Sequence, residues 1–108
     1  MEIIRRIRTA VGYTVIVTHD ALAHSIRHFH IPDDLFLTML ARILHHPNAV
    51  YEELHGASTT YHIFYKLETT GYVVAVIKLK PDGAFLVTVY PTKTKIRPKH
   101  AKLKKVEI

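Results

Sequence analysis

The chain reads as an α+β domain in which two N-terminal helices pack on one face of a four- to five-stranded antiparallel sheet, a meander. Three observations predict this. Between residues 18 and 46 apolar side chains recur at helical spacing. From residue 49 to residue 90 they alternate with polar ones and are broken by turn residues. Ahead of the helices, Tyr13-Thr14-Val15-Ile16-Val17 is apolar and β-branched, which suits a strand.

Taken in order, Glu2 to Arg8 is ambiguous, because Ile3, Ile4 and Ile7 fit either a helix or an edge strand. Thr18 is placed to cap a first helix with Asp20 in its first turn, and Leu22, Ile26 and Phe29 mark its apolar side. A second helix opens at Ile31-Pro32-Asp33-Asp34, with proline at the first helical position. Its buried stripe is Leu35, Met39, Leu40, Ile43 and Leu44; His45 and His46 suit its C-terminus and Pro47 stops it. Ala49 to Leu54 is a short strand, followed by a turn through residues 55–58. Tyr61 to Leu67 and Tyr72 to Lys80 alternate cleanly around Thr69-Thr70-Gly71. Lys80-Pro81-Asp82-Gly83 signals a hairpin, since proline presets φ and glycine accepts a positive one. Strict alternation then sends Phe85, Val87 and Val89 one way and Leu86, Thr88 and Tyr90 the other, with Pro91 ending the sheet. This divides the chain into a single α+β domain, residues 1–91, and a basic C-terminal tail, residues 92–108, whose removal is expected to leave the domain folded.

Charge supports that division. The net charge is +6. Basic and acidic residues balance over residues 1–91, while the last stretch carries Lys93, Lys95, Arg97, Lys99, Lys102, Lys104 and Lys105 against Glu107. Such a terminus suits a polyanion. The absence of cysteine excludes disulfides, thiol nucleophiles and cysteine-based zinc sites. The near absence of side-chain amides (Asn48 alone) points faintly to a high-temperature source. No stretch approaches the roughly 20 apolar residues that a bilayer span needs, and His19-Asp20 interrupts the one signal-like pattern, so a cytoplasmic location and no membrane partner are expected.

Nine histidines are the least ordinary feature of the composition. His24 and His28 stand four residues apart, away from Leu22, Ile26 and Phe29 on a helical wheel. Such a pair is compatible with a solvated surface, with acid/base or phosphate-binding work, or with a metal. The metal reading lacks the glutamate of the H-E-x-x-H pattern, Ser25 standing in its place, and spacing marks no third ligand. A second constellation is Thr88 and Tyr90 near the end of the last strand, followed by Lys93. Hydroxyls on a rigid strand beside mobile ammonium groups suit phosphate. Gly-rich phosphate loops and nucleophile elbows are missing from the sequence, and the carboxylates show no paired arrangement that suggests glycosidase chemistry.

His24-Ser25-Ile26-Arg27-His28, the Ile31-Pro32 helix start, Ile43-Leu44-His45-His46-Pro47-Asn48-Ala49-Val50 and Phe85-Leu86-Val87-Thr88-Val89-Tyr90-Pro91 together resemble the phage-associated barnase/EndoU/colicin/RelE-like (BECR-fold) nucleases over residues 18–92. The resemblance implies a metal-independent endoribonuclease of toxin or mobile-element type, needing no cofactor and facing a protein inhibitor (an antitoxin). In such enzymes the RNA 2′-hydroxyl attacks its own phosphate while one group removes a proton and another returns one. Carried over by position, His24 or His28 supplies acid/base catalysis, Thr88 and Tyr90 hold phosphate, and Lys93 is the nearest stabilising cation. Lys95, Arg97, Lys99 and Lys102 would track the nucleic-acid backbone. The final strands contain no arginine, which departs from that pattern. The alternative is a non-catalytic nucleic-acid-binding or assembly module that uses the basic tail.

Overall fold

The computed structural model describes residues 2–55, 58–67, 71–93 and 103–107. Its elements are β1 (Ile3–Arg8), β2 (Thr14–Thr18), α1 (His19–Ile26), α2 (Asp33–His45), β3 (Ala49–His55), β4 (Ser58–Lys66), β5 (Tyr72–Lys80), β6 (Gly83–Thr92) and β7 (Leu103–Val106). They form one seven-stranded sheet in the order β1-β2-β6-β5-β4-β3-β7. The expected four- to five-stranded antiparallel meander is therefore wrong in strand number and in pairing. The β3–β6 meander is present, but β2 joins its β6 edge in parallel and carries β1 outside it. On the other edge β7 pairs antiparallel with β3. Alternation identifies strands but not their neighbours, and the parallel pair arises because the chain leaves β2 through both helices before returning.

β7 comes from the basic stretch at the C-terminus. Only two of its four residues are apolar, so no periodic signal marks it, yet Val106 lies opposite Val50 and packs against the core. Likewise Pro91 does not end the sheet, since β6 continues to Thr92. The ambiguous N-terminal segment is a strand. It lies at the sheet edge, where the exposed Arg5, Arg6 and Arg8 oppose edge-to-edge pairing with another chain.

Both helices pack on one face of the sheet. Their core consists of Phe36, Leu40, Ile43 and Leu44 from α2, with Ala21 and Leu22 from α1. Against them lie Val15, Val17, Val50, Ile63, Val73, Ala75, Ile77, Leu86 and Val89 from the strands. Thr18 caps α1 as its sequence suggests, its hydroxyl accepting from the Ala21 N–H at 3.2 Å. The helix ends at Ile26, short of Phe29, and the chain tightens through His28 N–H to Ser25 O and Phe29 N–H to Ile26 O bonds. In α2, Pro32 is the N-cap residue and Asp33 the first helical one. The buried stripe includes Phe36 and Leu37, while Leu35 is 55% exposed.

Tyr61 lies on the helix-covered face and is 8% exposed. Burial, together with a side-chain hydrogen bond to Tyr13, raises its phenol from 10.0 to about 12. The fold thus favours the neutral phenol, so its contribution is complete below the unfolded-chain value of 10.0 and is lost as pH rises toward about 12. In that window the unfolded chain has released a proton that the native state keeps. Stability by chemical denaturation is expected to fall with a slope of up to about 1.4 kcal/mol per pH unit from this group, and Tyr61→Phe should flatten it. An unchanged slope in the variant would remove Tyr61 as its source.

Candidate functional site

Strand register sorts the sheet's side chains between the helix-covered face and a helix-free one. A bulge decides the matter in β6. Leu86 pairs with Ile77 and Thr88 with Val76, so Val87 is an inserted residue and the alternation shifts by one. Ala84, Leu86 and Val89 consequently face the helices, whereas Phe85, Thr88 and Tyr90 share the helix-free face. This corrects the expected grouping of Phe85 with Val89 and of Leu86 with Thr88, because uninterrupted alternation cannot register an inserted residue.

The helix-free face has a distinct chemistry. Its aromatic row crosses the strands, with Tyr51 (β3) and Phe64 (β4) 6.0 Å apart and Phe64 and Tyr72 (β5) 6.5 Å apart, both edge-on. Phe64, Val74 and Phe85 are buried there, while Tyr51, Tyr72 and Tyr90 are half-buried. Each of three rings has a lysine directly across from it, Tyr51 opposite Lys105, Tyr72 opposite Lys66 and Phe85 opposite Lys78. Lys80 completes the last pair, with its Nζ 5.2 Å from the Phe85 ring centroid. Arg6 and Arg8, opposite Ile16 and Thr14, extend the cationic surface to the β1 edge. All six of these cations are exposed. In the described strands, the carboxylate on this face is Glu53, bound to His62 Nε2 at 3.1 Å. The helices carry Asp20, Asp33 and Asp34 together with Arg42, and Arg27 caps α1, so charge is mixed on that side. Rings beside ammonium groups can stack planar groups while neutralising anions attached to them.

Thr88 and Tyr90 sit on this face opposite Val76 and Val74. Burial raises the Tyr90 hydroxyl above its ordinary value, so it is a neutral donor at physiological pH. Lys93 is exposed just beyond β6, beside the turn at Gly71. Lys95, Arg97, Lys99 and Lys102 lie outside the described residues.

The imidazoles occupy a different element. His24 is on α1, but His28 falls beyond its end, so the pair is not presented on one helical face. Arg27 Nη2 donates to His24 Nδ1 at 2.7 Å, which leaves the hydrogen of a neutral ring on Nε2. In that tautomer His24 is a donor to phosphate rather than a base. Both histidines are exposed, and among the described residues no hydrogen bond or ion pair joins either to Thr88, Tyr90 or Lys93. No group of three His, Asp or Glu side chains among the described residues is arranged to hold a metal.

A buried contact nevertheless brings α1 to β6. β2 pairs with β6 only at residues 84 and 85, and above that point α1 occupies the strand's free edge. There the Val89 N–H donates to the buried Ser25 Oγ at 3.1 Å. On the helical wheel, Leu22 and Ile26 face the core, Ser25 faces the strand edge, and His24 lies about 100° further around, beyond the buried Ala21 and away from the core. Ser25→Ala leaves the Val89 N–H unpaired in the interior and is expected to cost about 1–3 kcal/mol in denaturant unfolding. A loss below roughly 0.5 kcal/mol would mean that this bond does not hold α1 to the strand.

Comparison with protein-family models, curated proteins and solved structures finds no match to this chain. Among the described residues no helix is long and apolar enough to cross a membrane.

Proposed function

We propose that this protein binds single-stranded RNA across the helix-free face of its sheet. The observation that carries the reading is the pairing of half-buried rings with exposed lysines on one face, Tyr51 with Lys105 and Tyr72 with Lys66, beside the exposed Lys78 and Lys80. Unstacked bases lie on aromatic rings, and the ammonium groups neutralise the phosphates between them. A flat sheet face favours splayed single strands over a duplex, whose bases are already stacked.

The test is fluorescence anisotropy with a labelled single-stranded RNA at several salt concentrations, with single-stranded DNA and duplex RNA as comparison arms. Binding that weakens steeply with salt, and weakens further in Tyr51→Ala and Tyr72→Ala, supports the reading. It is overturned if the intact protein shows no affinity at low salt, or if both variants bind as it does.

A second reading, metal-independent RNA cleavage, is favoured by one observation. Ser25 pins α1 to β6 between Thr88 and Tyr90, which brings the helix that carries His24, and the turn after it that carries His28, to the strand that bears the hydroxyls. His28 would then act as acid/base, His24 and Tyr90 as hydrogen-bond donors to phosphate, and Lys93 as the charge stabiliser. Incubation of the labelled RNA in EDTA separates the two readings. Cyclic-phosphate ends that disappear in His28→Ala establish cleavage; intact RNA in the bound state leaves a binding module alone.

A further inference from the structure

We infer that the hydroxyls of Thr88 and Tyr90 bond the ribose 2′-hydroxyl, and that this contact selects RNA over DNA. The inference rests on the proposed RNA-binding surface and concerns how that surface tells one sugar from the other. Thr88 and Tyr90 are half-buried on the helix-free face, and among the described residues neither side chain has a hydrogen-bond partner. Neither hydroxyl is sealed from solvent, since no fully buried side-chain oxygen of the described residues is left without a partner. Both are therefore open to a ligand that lies on the face. The strand that presents them is fixed between them, the Val89 N–H donating to the buried Ser25 Oγ at 3.1 Å.

The sheet register puts no cation opposite either hydroxyl. Thr88 stands across from Val76 and then His62, and Tyr90 across from Val74 and then Phe64. The lysines occupy the rows to either side, Lys66 opposite Tyr72 and Lys78 opposite Phe85. Phosphates are drawn to those rows, where their charge is neutralised, and the hydroxyls between them meet a neutral polar group. A strand whose phosphates lie at Lys66 and Lys78 carries its sugars over Val74 and Val76, beside Thr88 and Tyr90. The 2′-hydroxyl both donates and accepts, as threonine and tyrosine hydroxyls do, so it can accept from one and donate to the other. A deoxyribose in the same place strips water from the two protein hydroxyls and gives them no partner, which a site built on polar groups turns into discrimination.

The experiment measures fluorescence anisotropy of labelled oligouridine, oligodeoxyuridine and 2′-fluoro-oligouridine of equal length with the full chain. The 2′-fluoro strand keeps the ribose pucker and lacks the hydroxyl. The ribose strand should bind about tenfold above the other two, the discrimination expected of neutral hydrogen bonds lost at this position. Thr88→Val and Tyr90→Phe together, which keep side-chain shape and strand propensity, should bring that ratio to within about twofold. Circular dichroism of the variant distinguishes loss of selection from loss of fold, and the 2′-fluoro comparison tests the inference on the intact protein. A 2′-fluoro strand that binds like the ribose strand overturns the inference, as does a ribose preference that survives the double substitution. Equal binding of ribose and deoxyribose strands by the intact protein overturns it too, and all three results leave single-strand binding across this face standing. An absence of binding to every strand overturns both.

Discussion

Lys66→Glu, Lys78→Glu and Lys105→Glu introduced together are expected to abolish measurable RNA binding at physiological salt. Each lysine stands directly across from an aromatic ring on the helix-free face, so each reversal replaces a phosphate partner with a repelling charge beside a stacked base. Three fewer phosphate contacts also lower the slope of log affinity against log salt, by roughly 2 for a single strand. The side chains are exposed at Lys66, Lys78 and Lys105, so the fold should survive, which thermal unfolding checks. Lys93→Glu, just beyond β6, serves as the control for position. If Lys93→Glu weakens binding as much as the triple reversal does, the anion site is centred on the end of β6 and the ring–lysine pairs are incidental.

Phe36→Ala is expected to destabilise the protein by about 3–5 kcal/mol, a large part of the whole stability of a domain this size. Phe36 is fully buried between α2 and the sheet, and its ring lies 5.6 Å from Phe29 in the connection between the helices. Truncation removes the contact that fixes that connection and leaves a cavity that a rigid sheet is slow to fill. Leu35→Ala, one residue earlier on the same helix, should cost below about 1 kcal/mol because Leu35 is 55% exposed. Urea unfolding of both variants measures the difference. Equal losses would mean that α2 is rotated about its axis from the orientation described.

The two neighbouring residues also show what angle adds to hydropathy. The spacing of Leu40, Ile43 and Leu44 locates the helix and the direction of its core. It also places Phe36, four residues before Leu40, within the apolar arc and Leu35 about 80° outside it, so Leu35 belongs to the stripe by hydropathy alone and not by angle. α1 presents a related difficulty. Leu22, Ile26 and Phe29 are spaced for one helix, but the chain tightens after Ile26 and takes His28 off the helical face. The bulge at Val87 has the largest consequence for function. It turns Phe85 onto the face of Thr88 and Tyr90 and completes the third ring–lysine pair.

Ser25 was legible only as the residue that breaks a metal-binding pattern. Its work is structural, since it satisfies a strand N–H that has no partner once β2 diverges from β6. Polar residues on helices give no sign in sequence of which distant backbone group they will meet. The Glu53–His62 pair was equally silent, because a separation of nine residues becomes a diagonal contact only through the β3–β4 register.

What the linear chain determines is local. Thr18 as a cap, the interior direction of α2, the alternation of β4 and β5 and the glycine turn at Gly83, with φ of +145°, all follow from the chemistry of a few adjacent residues. What the folded arrangement alone decides is adjacency: the parallel β2–β6 pair, the two added edge strands, and the gathering of six cations on a face that carries five aromatic rings. The reason is physical. Propensity and periodicity act over one or two turns of chain, whereas strand order and the grouping of side chains on a face depend on contacts between residues far apart in sequence, made only when the whole core closes.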